Sequence, residues 1–411
     1  MSGSKPVHAP QTQFPVIDDC LQVGGMPLTR LAQRVGSTPF YAYDRALLTE
    51  RVAHLRRHLP SRVALHFSIK ANPMPAVVQH MASLVDGLDV ASGGEMKVAL
   101  DTGMAPARVS FAGPCKSDAE LAQALAAGVC VNIESEREIH VLADLSQRTG
   151  IAAHAVLRVN PDFELRSSGM KMGGGAKQFG IDAEQIPAML ALAGGAGIAV
   201  SGFQIFSGSQ SLKADAIIDA QSQTVDLALR LAADAPHAIT SLNIGGGFGI
   251  PYFPGEQPLD IAPIGAHLAQ LQDKVAAALP QARLAIELGR YLVGEAGVYV
   301  ARVIDRKLSR GQLYLVTDGG LHHHLAASGN FGQVIRKNYP VAVGNRMAAV
   351  ADTPAYVVGP LCTPLDLLAD RMDLAHAQVG DLVVVFQSGA YGLSASPASF
   401  LGHPAAAEVL V

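Results

Sequence analysis

The sequence predicts an α/β fold, a (β/α)8 TIM-like barrel joined to a mostly antiparallel β domain. Three observations predict it. Short apolar strand candidates alternate with Ala/Leu-rich helical segments over residues 36–296, which is the pattern of parallel strands with crossover helices. Eight such candidates fit in that stretch, and a barrel of this kind uses about 250 residues. After Gly297 strand-like runs follow one another with few long helices between them. A doubly wound open sheet is the competing arrangement; the strand count and the segment length favour the barrel.

The strand candidates in order are Val63–Ser68, Gly87–Val90, Val109–Ala112, Val131–Ile133, His154–Val159, Ile198–Ile205, Ser241–Ile244 and Leu284–Glu287. Amphipathic helical segments lie between them: Asp118–Ala127, Ser135–Arg148, Ala183–Ala193, Ala214–Ala233 and Ile264–Ala278. The β domain is expected from residues 11–35 and 297–411. It would hold Phe14–Val16, a helix over Pro27–Val35, and the strands Val298–Leu308, Gln312–Asp318, Ala355–Val358 and Asp381–Gln387.

With 49% apolar and 16% charged residues, the chain has enough core material to exclude a disordered protein. A net charge of −4 without a basic stripe gives no support to a nucleic-acid partner. Cys20, Cys115, Cys130 and Cys362 are widely spaced, as free thiols in a reducing compartment would be. Met1–Pro15 is polar and contains three prolines, unlike a signal peptide. No uninterrupted apolar run reaches the roughly 18 residues of a membrane span. A cytoplasmic protein is expected.

Four motifs carry chemistry. Lys70 closes the apolar run His66-Phe67-Ser68-Ile69. The carboxyl ends of barrel strands face the active site, and dehydration there favours a neutral amine able to condense with an aldehyde cofactor. Asn243-Ile244-Gly245-Gly246-Gly247-Phe248-Gly249 follows the seventh strand candidate, where glycine N–H groups can cradle a phosphate. Glu287-Leu288-Gly289-Arg290 ends the eighth; its carboxylate suits a protonated ring nitrogen and Arg290 a phosphate. Cys362 sits in the turn Gly359-Pro360-Leu361-Cys362-Thr363-Pro364-Leu365-Asp366, as a proton donor or a thiolate. Taken singly, each is equally compatible with a surface Lys, a tight turn, a structural ion pair and an inert thiol.

Taken together they form an ordered set with Asp89-Val90-Ala91-Ser92-Gly93-Gly94-Glu95, Arg158-Val159-Asn160-Pro161, Gly208-Ser209 and Gly389-Ala390-Tyr391. From about residue 36 to the C-terminus this resembles the diaminopimelate/ornithine/arginine decarboxylase family of pyridoxal 5'-phosphate (PLP) enzymes, with its alanine-racemase-like fold. The tail from Ser388 to Pro404 is similar to the subgroup associated with exosortase and exopolysaccharide gene clusters. The resemblance implies that Lys70 carries PLP as a Schiff base and that Glu287 holds the pyridine nitrogen. It implies that Ser209, Gly246, Gly247, Gly289 and Arg290 bind the phosphate with Tyr391 closing over it, and that Asp89 and Glu95 lie near the cofactor. It also implies a homodimer with shared active sites, in which Cys362 of the neighbouring subunit protonates Cα.

Three departures from the family pattern stand out. Phe206 occupies the position of the usual His against the cofactor ring. It can stack but cannot transfer a proton; Gln204 is the alternative residue to reach in. Thr363 follows Cys362 where an acidic residue commonly reads a distal substrate amine, which leaves Asp366 as the possible replacement and lowers the expectation for ornithine, arginine and diaminopimelate. Glu-Leu-Gly-Arg replaces Glu-Pro-Gly-Arg without chemical consequence. Arg336 is a candidate for a substrate carboxylate, with a plain surface Arg as its alternative. Three adjacent histidines, His322–His324, do not suggest a metal site, since neighbours on a strand alternate sides.

The expected activity is α-decarboxylation of an amino acid, free or carrier-linked. The external aldimine displaces Lys70, CO2 leaves, and Cys362 returns a proton. The alternatives are a racemase or epimerase, which needs a second base for which only Tyr391 is at hand, and a catalytically silent regulatory relative.

Overall fold

The computed structural model describes residues 6–165, 169–171 and 173–411. The first residues of the expected leader-free N-terminus lie outside them. The chain divides into two compact units, Arg51–Ile250 with Leu259–Leu292, and Met1–Glu50 with Pro251–Pro258 and Val293–Val411.

In the first unit all eight predicted strands form, as Ala64–Ser68, Gly87–Val90, Val109–Phe111, Cys130–Ile133, Ala155–Asn160, Val200–Ile205, Ser241–Asn243 and Arg283–Leu288. Each pairs in parallel with its neighbour. The pairing of Arg283–Leu288 with Ala64–Ser68 closes the ring, so the sheet is a barrel and not an open doubly wound layer. The helices fall where the apolar stripes place them. Asp118–Ala127 carries a complete capping box, in which the Ser117 side chain accepts from Glu120 N–H and Glu120 returns the bond. That arrangement satisfies two of the amide donors a helix start leaves open.

The barrel interior is unusually polar. Barrels of this type are filled mostly by branched apolar side chains. Here every strand contributes a polar residue within an otherwise largely apolar run: His66, Asp89, Ser110, Asn132, Arg158, Gln204, Asn243 and Glu287. All but half-buried His66 are buried. Buried polar groups are costly unless hydrogen-bonded, so this interior is organised by its bonds as much as by packing.

The second unit is a mixed sheet of Phe40–Tyr43, Gly297–Ser309, Gln312–Thr317, Val341–Val343, Thr353–Val358, Leu367–Leu374, Leu382–Val385 and Ala407–Leu410. Most pairings are antiparallel; Gln312–Thr317 with Thr353–Val358 and Ala407–Leu410 with Phe40–Tyr43 are parallel. The boundary expected at residue 36 is corrected by Phe40–Tyr43. That strand pairs with Gly297–Val300 and belongs to the β unit, because its four residues are all buried and need cover on both faces. The N-terminal strand expected at Phe14–Val16 is a small sheet of Val16–Ile17, Cys20–Val23 and Met26–Pro27, followed by the helix Leu28–Val35. Phe14, Leu21, Leu28, Leu31, Phe40, Val298, Val384 and Phe386 form the core of this unit.

Candidate functional site

A cavity of about 250 Å3 opens at the carboxyl ends of the barrel strands, lined by Lys70, Asp89, Arg158, Gln204, Phe206 and Glu287 among others. Lys70 lies just beyond its strand, in the 3-10 turn Ile69–Ala71. Its side chain is exposed. Protein packing alone does not dehydrate this amine, which corrects the sequence expectation. The Nζ atom stands 5.8 Å from the centre of the Phe206 ring, so Phe206 does face the cavity as the resemblance implied.

Glu287 is buried on the neighbouring strand, the one that pairs with Ala64–Ser68 to close the barrel. Gln204 Nε2 donates to both its carboxylate oxygens at 3.1 Å, and Asn243 Nδ2 donates to Oε2 at 2.9 Å. Burial, and then the charge of Asp89, push the Glu287 carboxyl above its ordinary range against the pull of Lys70 and Arg158. Two carboxylates in a low-dielectric space cannot both ionise freely. Asp89 is held by Ser110 Oγ–H and by His66 Nδ1 at 3.1 Å. Its second oxygen, and Oε1 of Gln204, are buried with no partner among the described residues. Glu95 is half-buried at the start of the helix Gly93–Asp101 and accepts from Ala91 N–H at 2.8 Å. Burial raises its carboxyl despite that bond and the nearby Lys70 charge.

The glycine turn folds between two strand ends. Gly245 N–H donates to Asn243 Oδ1 at 2.9 Å, and Glu287 N–H donates to the Gly245 carbonyl at 3.0 Å. A Cβ at Gly246 would lie 2.3 Å from the Glu287 carbonyl oxygen. Gly247 has φ of +81°, and a Cβ there would lie 2.9 Å from the Gly208 carbonyl. The turn is therefore stitched against Gly208-Ser209 and the Glu287–Gly289 segment; the bond from Ser211 N–H to the Gly247 carbonyl continues the seam. Gly289 in turn lies against Ala71, whose Cβ would be 2.9 Å from an added Cβ. Ser209, Gly246, Gly247, Gly289 and Arg290 thus gather at the carboxyl ends of neighbouring strands, with Arg290 opening the short helix Arg290–Val293. Gly246→Ala is expected to destabilise the protein by about 1–3 kcal/mol through this overlap with backbone, read as a lowered thermal midpoint; an unchanged midpoint would mean the turn is slack.

The wall beside Asp89 contains an ion network that sequence reasoning missed. Buried Glu134 accepts from Arg158 Nη1 at 2.9 Å, from Gly180 N–H at 2.9 Å and from Gly113 N–H. The Arg158 guanidinium also lies 5.0 Å from the Phe179 ring centre. Gln204, named above as the alternative to Phe206, bonds Glu287, a role the sequence reading did not give it; roles for Asn243 and His66 were missed as well. Their signal was present in the sequence as a single polar residue at the inward position of an apolar strand.

In the β unit, Cys362 is exposed and Thr363 half-buried. Asp366 is 3% exposed. Its two oxygens accept from Leu321 N–H at 2.6 Å and Leu361 N–H at 2.7 Å, and burial is the main force raising its carboxyl. Asp366 ties its own turn together, so it does not present a carboxylate to a distal substrate amine; that possibility is corrected. Arg336 is tucked in, not a plain surface residue. Its Nη1 donates to the Ser328 carbonyl at 3.1 Å, Nε and Nη2 are buried with no partner among the described residues, and burial lowers its basicity. Tyr391 has φ of +52° and lies 6.3 Å, ring to ring, from Phe331. His323 Nε2 is 2.8 Å from the Pro404 carbonyl and His324 Nε2 is 2.9 Å from Ser388 Oγ. Among the described residues no group of three or more His, Cys, Asp or Glu is arranged to hold a metal ion, and no helix is long and apolar enough to cross a membrane.

The cavity thus combines an amine able to bond an aldehyde, an aromatic wall and a fixed buried carboxylate, and a glycine turn that excludes side chains packs against its Phe206. The unpartnered Asp89 and Gln204 oxygens add polar capacity that the protein itself leaves unused. These features fit a flat phosphorylated pyridine aldehyde.

Comparisons with known proteins agree. Residues 45–294 match the family model described as "Pyridoxal-dependent decarboxylase, pyridoxal binding domain". The chain is 36% identical over 93% of its length, and 90% of the relative's, to a Niallia circulans protein named L-glutamyl-[BtrI acyl-carrier protein] decarboxylase. It is 31% identical to the diaminopimelate decarboxylase of Aquifex aeolicus, covering 96% of this chain and 91% of that one. The crystal structure of the Aquifex aeolicus protein AQ1208 superposes with a TM-score of 0.84 at 28% identity, covering 97% of this chain and 92% of that one. With a barrel whose cavity is built to hold the cofactor and a family model spanning that barrel, the chain belongs to the pyridoxal-dependent decarboxylases, enzymes that decarboxylate amino acids with pyridoxal 5'-phosphate.

Proposed function

We propose that this enzyme decarboxylates an amino acid whose distal end carries no free ammonium group, a glutamyl unit joined to an acyl carrier protein being the favoured substrate. The observation that carries this reading is the turn around Cys362. Its only acidic side chain, Asp366, is buried and consumed by two backbone N–H groups, and the neighbouring position is neutral Thr363. A distal ammonium finds no carboxylate on this turn. A similarity to the Niallia circulans carrier-linked decarboxylase supports the same choice.

PLP supplies an electron sink once the substrate's Cα–carboxylate bond breaks. The chain's own residues do the rest. Lys70 would anchor the cofactor through its amine. Glu287, fixed by Gln204 and Asn243, would hold the proton of the cofactor's ring nitrogen. Phe206 would pack against the ring. The Gly246-Gly247 turn, Ser209, Gly289 and Arg290 take the phosphate, with Tyr391 closing over it. Asp89 and Glu95 border the cofactor and Lys70. Cys362 of a second subunit delivers the proton to Cα, so the working unit is a homodimer, and Arg336 receives a substrate carboxylate.

The test is CO2 release from glutamyl–acyl carrier protein, free glutamate, ornithine, lysine, arginine and diaminopimelate. The carrier-linked substrate should be turned over fastest. Cys362→Ala should lower turnover about 10²- to 10⁴-fold, as loss of a general acid does, while leaving the bound cofactor's visible spectrum in place. Faster turnover of diaminopimelate or ornithine would overturn the substrate class, and inversion at Cα without CO2 would overturn decarboxylation. Mixing Lys70→Ala with Cys362→Ala protein should restore activity; no recovery in a proven mixed dimer would rule out shared sites.

A further inference from the structure

A second cavity lies on the barrel axis at the opposite, amino-terminal end of the strands, with a volume of about 230 Å3. Its outer rim includes exposed Ala107, Thr240 and Arg283, so it opens to solvent. Its inner end is formed by His66, Ser110, Cys130, Asn132, Gln204 and Asn243. Gln204 lines this cavity and the cofactor cavity alike. The partition between the two is therefore thin, and four side chains of the amino-terminal cavity bond two carboxylates of the cofactor cavity across it: His66 and Ser110 with Asp89, Gln204 and Asn243 with Glu287.

His66 reaches the amino-terminal cavity. Although it sits inside the barrel, its side chain keeps 20% of its accessibility, and it lines the amino-terminal cavity but not the cofactor cavity. The ring lies over Gly87, where a Cβ would be 2.7 Å from both Cε1 and Nε2; only glycine admits an imidazole there. Nδ1 meets the Asp89 carboxylate at 3.1 Å, so Nδ1 carries the donated hydrogen and Nε2 is left for exchange with water.

We infer that His66 is a positioning residue for the cofactor face: a proton donated from the amino-terminal mouth charges its imidazole, which pins Asp89 as an anion and so sets the charge shared between Asp89 and Glu287. The proton balance is simple. Nε2 gains a proton from water at the mouth and returns it there; no other bond is made or broken. When His66 is charged, the pair His66–Asp89 is neutral and Glu287 is relieved of a neighbouring uncompensated charge. When His66 is neutral, the Asp89 charge acts on Glu287 with no cation beside it, which disfavours a charged Glu287.

Other charged groups face the ring as well. Asp86 precedes the second strand, Arg108 and Arg283 lie at the mouth, and Cys130 lies at the inner end. Asp86 is paired with Arg56 and Arg283. Burial, with the Asp89 charge, pushes the Cys130 thiol up to about 12, so it stays neutral. Burial opposes a charged His66, yet Asp89, by charge and hydrogen bond, with Glu287 and Asp86, raises its proton affinity overall. The linkage sign follows: His66 contributes stability that is fully present below an ordinary histidine's midpoint and is lost as pH rises through its raised one.

This inference rests on the reading that Lys70 and Glu287 hold PLP, and not on the substrate. The experiment is a pH titration of the lysine-bound cofactor's visible spectrum in the holoenzyme, in wild type, His66→Gln and Asp89→Asn. Wild type should show a spectral step with its midpoint above 6.5, the ordinary histidine value. His66→Gln should keep the cofactor but lose the step, and Asp89→Asn, which removes the carboxylate that the imidazole holds, should lose it as well. A step that persists in His66→Gln overturns the inference. Absence of a lysine-bound cofactor spectrum in wild type would instead overturn the cofactor reading. If His66→Gln does not fold, histidine carbon NMR of wild-type and Asp89→Asn holoenzyme decides. One imidazole losing at least tenfold in proton affinity in Asp89→Asn supports the pairing, and none doing so overturns it.

Discussion

Lys70→Ala is expected to lose the visible absorption of the lysine-bound cofactor and at least about a thousandfold in turnover, roughly 4 kcal/mol of transition-state stabilisation. The reasoning is chemical and geometric together. Among the described residues lining the cofactor cavity, Lys70 supplies the only amine. Arg158, the other cation in that lining, is bonded to buried Glu134 and is no nucleophile, since a guanidinium does not deprotonate in proteins. Borohydride reduction followed by peptide mapping is the check: wild type should carry the reduced cofactor on Lys70, and the Ala variant should carry none. Cofactor trapped in the Ala variant would place the anchor elsewhere. Because Lys70 is exposed, the substitution removes no core contact, and the thermal midpoint of the cofactor-free protein should hold.

Glu134→Ala is expected to cost about 3–5 kcal/mol of stability, the range for breaking a buried ion pair from one side. Glu134 retains 2% of its side-chain accessibility and Arg158 8%. Removing the carboxylate strands the Arg158 guanidinium and the N–H groups of Gly113 and Gly180. Lys116, whose Nζ lies 3.9 Å from Glu134, is spared because Glu138 holds it at 3.0 Å. Urea unfolding followed by circular dichroism and by cofactor release measures the loss. Glu134→Gln, which can still accept hydrogen bonds, should lose markedly less. A loss under about 1 kcal/mol in the Ala variant would mean water replaces the carboxylate, as at an exposed ion pair. The effect should reach the site, since Gly113, Arg158 and Phe179 are all cavity-lining residues.

Much of the barrel was legible because strand and helix periods are local. Eight apolar runs alternating with helical segments demand parallel pairing, and each of the eight formed within one or two residues of its expected place. Phe40–Tyr43 was misplaced because its partner, Gly297–Val300, lies some two hundred and fifty residues away, and nothing local names it. The strands Leu367–Leu374 and Ala407–Leu410 went unread for a related reason. Their partial exposure gives a mixed polar pattern that resembles loop.

The candidate site divides along the same line. The sequence alone picked out Lys70, Glu287 and the glycine turn as ordered motifs, because the proposed roles of cofactor anchor, ring-facing carboxylate and side-chain-free turn each require a particular residue type. It also determined, through Phe206 and Thr363, that the usual proton-transferring His and the usual distal acid are missing. Only the tertiary structure decided that Asp366 is spent on backbone N–H groups, that Gln204 and Asn243 hold Glu287, and that Glu134 anchors Arg158. These are matters of which polar atoms meet inside a closed barrel, and a buried polar atom acquires its role from partners brought to it from other strands.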